Sequence, residues 1–386
     1  MPETSTRSAS QPLLGRLADF FRRTELTPNA ALTLFVFAVV SMGGFMFTHS
    51  ISIDDEVALS AHDYWGSFRQ GRFLIGLLDL LVPRRVTPLY PYLLLATSYV
   101  ATYTGILYLH GMKHNWKTHL GFLIFILFPT NWHSQEFSVN VPGFAIGLLA
   151  TTLAALQTQS RFNEVNRAPQ GRLLHWRSLS PVVIGLMVIA IGGFQSLITV
   201  YLALSIGSLL FPQPLSSKET APRTTSRPSL AQCLIMIFSN AAVAIVIHTL
   251  ILKLLLAISK SDVHQINLYY RSPYFMLRTQ PTAYILGNIQ QFLQTYLTPG
   301  VFYGLSLSGF TLLLIGAACL YVRSSLRHAP GDINHRLNLP QSALLALMLL
   351  LVPLSLNFIS IPYRIPMRAL MALPYIAWFA LHRCFG

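Results

Sequence analysis

The chain has 386 residues, of which 53% are hydrophobic and only 10% charged, with a formal net charge of +14. Soluble domains carry about 25% charged residues. This composition therefore excludes an ordinary soluble enzyme, and apolar runs of about 20 residues recurring along the chain point to an all-α polytopic membrane protein. In such a chain an excess of Lys and Arg reports topology, so the charge is not read as a nucleic-acid surface and no nucleic-acid partner is expected.

Residues 1–28 are polar and contain Ser, Thr and Arg, and read as a tail. The apolar run after them is too long for a signal-peptide core and has no clear cleavage site, which makes it a retained first span. In chain order, spans are predicted at about 30–50, 89–110, 119–132, 142–157, 179–194, 195–211, 231–256, 301–321, 341–357 and 367–381. The third and fourth are short, as tilted or partly re-entrant segments are. The fifth and sixth are joined by a very short hairpin at Gly192-Gly193-Phe194-Gln195. These ten helices form one domain, residues 1–386. The face that receives the N-terminal tail and the even-numbered connections carries seventeen Lys and Arg against nine on the other face, with Lys253 inside a span. The positive-inside rule then places both termini in the cytoplasm. In a bacterium the other face is the periplasmic side of the inner membrane.

The inner connections, such as "PQPLSSKETAPRTTSRPS", are solvated linkers. The two long outer loops, 51–88 and 257–300, are half apolar and aromatic. In "PTAYILGNIQQFLQTYL" the residues Ile285, Ile289, Phe292, Leu293, Tyr296 and Leu297 recur at helical spacing, the pattern of a helix lying on the membrane surface. "RFLIGLLDLLV" in the first outer loop is apolar but too short to span.

Three of the chain's 13 acidic residues, Asp54, Asp55 and Glu56, stand together just after the first span. A solvated helix end is the plain explanation. Within twenty residues follow His62, Asp63, Tyr64, Trp65, Arg69 and Arg72, a mixture suited to a polar, sugar-like ligand. A carboxylate at the membrane boundary can act as general base toward an acceptor hydroxyl. Trp65 can stack on a sugar face or simply anchor at the interface. A lipid-linked phosphate leaves without a proton and needs cations instead, which Arg supplies in bidentate geometry. In "NFISIPYRIPMRAL", Arg364 and Arg368 stand four apart, on one face if the segment is helical. Lys253, inside a span, is a further cation; a charge there marks function or snorkels to the surface. The sequence contains no zinc-protease motif, no phosphate-binding P-loop and no nucleophile elbow. His133 and Glu136 are three apart, but "NWHSQEFSVN" reads as an outer loop near the active site rather than a metal centre. The three cysteines form neither a disulfide framework nor a metal signature.

A first span followed by an acidic pair in the first outer loop resembles the GT-C glycosyltransferases, membrane enzymes that take a sugar from a polyprenyl phosphate. "SIDDE" with "YWGSFRQGR" is similar to the opening of the Gtr type II glucosyltransferases, which decorate O-antigen, a part of lipopolysaccharide, in serotype conversion. "SQEFSVN", "GGFQSLITVYLAL" and "PYRIPMRAL" resemble later segments of that family, so the likeness runs through most of the chain. Phe194 stands where the family has Tyr before Gln, and no acidic residue stands just after "SVN".

The resemblance implies a GT-C-like bundle with amphipathic helices in the first and fourth outer loops. It implies transfer of glucose from undecaprenyl-phosphate-glucose to an O-antigen or related periplasmic glycan, with inversion and an oxocarbenium-like transition state. Asp55 or Asp54 would be the base. Arg364 and Arg368, with Arg72 and Lys253, would hold the donor phosphate. Glu56, His62, Trp65, Glu136, Gln195 and Tyr270 would contact sugar or acceptor. Such an enzyme depends on a donor-lipid synthase, a flippase and membrane lipids. No cofactor or metal is expected, because Arg can serve the phosphate, although the acidic pair has the chemistry to hold a divalent ion. Two other readings are a transporter of lipid-linked sugars and a glycan polymerase. A transporter places its ionisable groups near the bilayer midplane. Here nearly all acids lie in loops.

Overall fold

The computed structural model describes residues 20–47, 67–68, 71–81, 89–128, 130–131, 140–165, 179–210, 229–258, 281–297, 301–302, 305–306, 337, 339–353, 355 and 370–385. These form twelve helices and one two-residue ladder. The helices are α1 (Pro28–Ser41), α2 (Gly43–Phe47), α3 (Phe73–Leu81), α4 (Leu89–Leu109), α5 (Trp116–Ile126), α6 (Val141–Val165), α7 (Pro181–Gly193), α8 (Leu197–Leu210), α9 (Leu230–Ile258), α10 (Pro281–Leu297), α11 (Leu339–Leu351) and α12 (Leu373–Phe385). The ladder pairs β1 (Val301–Phe302) antiparallel with β2 (Leu305–Ser306).

Several helix starts are written locally. Thr27 caps α1 by accepting from the Ala30 N–H at 3.1 Å, with Pro28 in the first turn where no N–H is needed. Ser180 and Pro181 do the same for α7. Asn115 and Thr118 form a reciprocal capping box on α5.

Helix α6 is the hub. It packs on α4, α7, α8 and the short α3. Where α6 meets α7 the contact is backbone-close: a Cβ on Gly193 would collide with the Gly143 carbonyl oxygen, so only glycine fits there. Helix α8 is buried on all sides except Leu209 and touches α6, α7, α9, α11 and α12. A helix apolar all round belongs in such a position. Helix α9 is the opposite case. One stripe, Cys233, Met236, Ile237, Asn240, Ala241, Ala244, His248, Leu252 and Leu256, is buried. Its other face exposes Ile235, Phe238, Val246, Leu250, Leu254 and Ile258. In water that apolar face would demand a partner; in a bilayer, hydrocarbon covers it.

Several polar groups inside the bundle are satisfied across helices. Thr152 donates to Thr102 at 3.2 Å, Thr158 and Tyr201 pair at 3.0 Å, and the Ser180 N–H reaches the Asn240 Oδ1 at 2.8 Å. Trp378 donates to the Tyr103 hydroxyl at 3.0 Å, and that hydroxyl donates to the Thr118 carbonyl. Such bonds are worth about 0.6–2 kcal/mol each in membranes.

Three described helices are long and apolar enough to cross a bilayer: Leu89–Leu109, Val141–Phe162 and Leu230–Ile258. Four shorter apolar helices, α1, α7, α8 and Pro340–Leu351 within α11, accompany them. The protein is thus a helical membrane protein. Two expectations change. The fourth predicted span is not short: α6 continues to Val165, because polar residues such as Gln157, Gln159 and Arg161 extend a helix past the hydrocarbon without ending it. The eighth does not begin as a helix at residue 301, since Val301–Phe302 pairs antiparallel with Leu305–Ser306 as the β1–β2 ladder. Both amphipathic outer segments are helical, as α3 and α10. Within α10, Tyr284 is buried while Ile285, Leu286 and Ile289 are exposed; the side chains of the later predicted face, Phe292 to Leu297, lie outside the description.

The α4–α5 loop lies outside the spans. Its Lys113 pairs with Glu25, and the His114 N–H bonds to the Thr24 carbonyl at 2.9 Å. Burial, and then the charge of His119, push the His114 imidazole from 6.5 down to about 4. A base whose folded value is lowered stabilises the fold above its unfolded value and loses that contribution as pH falls toward the folded one. The thermal unfolding midpoint in detergent is expected to fall between pH 6.5 and pH 4. His114→Gln is expected to flatten that dependence, and an unchanged pH profile in the variant would remove His114 as its source.

Candidate functional site at the α3, α6 and α7–α8 junction

The site begins with a turn. The Gly71 N–H bonds to the Phe68 carbonyl and the Arg72 N–H to the Ser67 carbonyl, both at 2.9 Å. Gly71 closes this turn with φ 76°, a conformation glycine adopts without steric cost. The turn delivers Arg72 to the start of α3, where its carbonyl accepts the Gly76 N–H at 3.1 Å. The Gly71 carbonyl accepts from His248 Nε2 of α9 at 2.9 Å. A carbonyl only accepts, so Nε2 carries the proton. The Phe73 ring lies 5.6 Å from the His248 ring.

Arg72 is 8% exposed. Its Nη1 donates to Asn140 Oδ1 at 3.0 Å, and its guanidinium carbon lies 5.0 Å from the centroid of the Phe194 ring. Asn140 starts α6, its carbonyl accepting the Phe144 N–H at 3.0 Å. Phe194 ends α7 and meets Phe144 edge-on at 5.8 Å. Three chain segments therefore converge on one cation: the turn after the acidic stretch, the end of "SVN", and the "GGFQS" hairpin. Electrostatically the arrangement is a guanidinium whose charge faces a ring's π-cloud on one side and an amide oxygen on another. Nearby in sequence, the Ser196 hydroxyl is buried with no hydrogen-bond partner among the described residues.

Helices α7 and α8 have 13 and 14 residues, about 20 Å each. Helix α9, with 29 residues, is about 43 Å long and runs some 15 Å past His248. The end of α7 is covered by α3, whose Phe73 and Leu74 lie against Gly192 and Gly193. The Lys and Arg distribution leads to the expectation that this end of the bundle faces outward.

Of the predicted site residues, Arg72 lies against Phe194, the residue before Gln195. Lys253 is exposed on the outward face of α9 beside Leu254, away from the buried stripe that carries His248. Asp54, Asp55, Glu56, His62, Trp65, Glu136, Tyr270, Arg364 and Arg368 lie outside the described residues. Among the described residues no group of three His, Cys, Asp or Glu is placed to hold a metal. Asn140 and His248 were not anticipated. His248 had a readable signal, an ionisable residue in the middle of an apolar run, the same signal that drew attention to Lys253.

A family model described as glucosyl transferase GtrII matches residues 43–381. The chain belongs to that family, and the match spans all three segments around Arg72. Comparison with curated proteins and with solved structures finds no match to either.

Removing the Asn140 amide takes an acceptor from a buried cation. Asn140→Ala is expected to lower stability by about 1–3 kcal/mol, read as a reduced unfolding midpoint in detergent. Lys253→Gln, at an exposed position, is expected to change it by less than about 0.5 kcal/mol. Equal effects from the two would mean that the Arg72–Asn140 contact contributes nothing.

Proposed function

With membership of the GtrII glucosyl transferase family as the premise, we propose that this protein transfers glucose from undecaprenyl-phosphate-glucose to an O-antigen or related glycan at the periplasmic face of the bacterial inner membrane. The observation that carries the reading is the buried Arg72, oriented by Asn140 and Phe194 where α3, α6 and the α7–α8 hairpin meet. A guanidinium in a low-dielectric setting binds phosphate more strongly than one in water. A polyprenyl phosphate presents its anion at the membrane boundary.

The reaction is a single displacement. An acceptor hydroxyl attacks the anomeric carbon of glucose and the new C–O bond forms with inversion. The bond from that carbon to the phosphate oxygen breaks, and its electron pair stays on the undecaprenyl phosphate. The hydroxyl proton passes to the carboxylate of Asp55 or Asp54. Arg364 and Arg368 join Arg72 in stabilising the leaving phosphate, while Gln195, Glu56, His62, Trp65, Glu136 and Tyr270 contact sugar or acceptor. Lys253, exposed on the lipid side, serves by snorkelling to headgroup level. The topology is ten spans in one domain, with both termini cytoplasmic. The enzyme then depends on a synthase and a flippase to supply its donor outside.

The test is transfer from undecaprenyl-phosphate-glucose to lipid-linked O-antigen by purified wild type, Asp54→Asn and Asp55→Asn. One variant is expected to lose turnover by about 10²–10⁴-fold with donor binding retained. Near-normal rates in both would dismiss the acidic pair as the base. Transfer is expected to persist in EDTA; loss in EDTA with recovery in Mg²⁺ would assign a divalent ion to the acidic pair.

A further inference from the structure

We infer that His248 is a positioning residue for Arg72, setting the guanidinium from behind through the Gly71 carbonyl. The inference rests on the phosphate role proposed above for Arg72. His248 is 6% exposed and belongs to the buried stripe of α9. It reaches 177 residues back in sequence to a single backbone oxygen, at 2.9 Å. That oxygen belongs to Gly71, a left-handed residue of the turn, and the next residue is Arg72.

The placement has two consequences. First, the hydrogen bond fixes the peptide plane between Gly71 and Arg72, from which the Arg72 side chain departs. Asn140 and Phe194 then hold the far end of that side chain. Arg72 is restrained at both ends by groups from three different helices or helix ends, α9, α6 and α7. Second, the restraint comes from α9, a helix whose other face is apolar and exposed. Phe73, between the His248 ring and Gly192 of α7, locks the imidazole orientation by packing. A lone histidine in an apolar helix often serves only to satisfy its own hydrogen bond. Here the partner it satisfies is the hinge of the cation, so its loss propagates to the anion site.

The experiment measures the affinity of the full-length protein, in lipid nanodiscs, for undecraprenyl phosphate as probe. It compares wild type, His248→Leu, His248→Gln, His248→Asn, Arg72→Gln and the double variant Arg72→Gln with His248→Leu. A Gln amide nitrogen falls near the place of Nε2 and an Asn amide nitrogen near that of Nδ1. His248→Leu and His248→Asn are expected to weaken binding about tenfold, the order expected for loss of one buried hydrogen bond, and His248→Gln to restore it. The double variant is expected to bind no worse than Arg72→Gln alone, because His248 acts through Arg72. If His248→Leu does not fold, the Gln and Asn pair decides by the same contrast. The inference is overturned if Asn and Gln variants bind alike, or if the two losses multiply in the double variant. Weakened binding in Arg72→Gln with normal binding in every folded His248 variant removes His248 alone. Normal binding in Arg72→Gln removes the phosphate role of Arg72 and this inference with it.

Discussion

A guanidinium held almost out of solvent, among helices built for hydrocarbon, is the constraint around which this end of the bundle is arranged. An ion in such a setting requires oriented partners, because the surroundings offer little water to solvate it. Asn140 supplies an oxygen, Phe194 a π-face and His248 a restraint on the backbone behind it. Each comes from a different part of the chain. The need to satisfy one side chain therefore ties the first outer loop to α6, to the α7–α8 hairpin and to α9.

The scaffold makes this meeting possible through small residues. Gly193 lets α7 approach the backbone of α6 at the Gly143 carbonyl, and Gly143 in turn leaves room for Ile75 of α3. Asn140 at the start of α6 and Phe194 at the end of α7 thereby become neighbours. A larger residue at 193 would force the two helix ends apart. Helix α9 continues about 15 Å past His248, beyond the junction where these segments meet.

Family membership and geometry bear on different questions. Membership establishes a glucosyltransferase, with a sugar donor and a glycan acceptor. The geometry shows one buried cation oriented by Asn140 and Phe194. In the proposed role, a charge held in this way would stabilise a leaving anion without reorganisation at the moment of bond breaking. A base on the acidic stretch and a phosphate site on the arginines would divide the reaction between the two ends of a short segment, residues 54–72.

The sequence by itself determined the class of the protein. Composition and the recurrence of long apolar runs require a helical membrane chain, since only satisfied backbone crosses hydrocarbon. It also marked the segments that matter: "GR" at residues 71–72, "SVN" at 138–140 and "GGFQS" at 192–196 were singled out as motifs, and the family likeness they carried holds. Helix existence was legible from hydropathy, and α10 from its periodicity. What only the tertiary structure decided is which of these residues meet. Periodicity reports which face of a helix is apolar but not which neighbour it faces, so His248 and Lys253 looked alike as polar interruptions of one span. The fold buries His248 against Gly71 and turns Lys253 outward, because the two lie five residues apart and about 140° around the helix. The extent of α6 and the β1–β2 pairing were also hidden, because a hydropathy window sees where a segment stops being apolar and not where its backbone hydrogen bonds run.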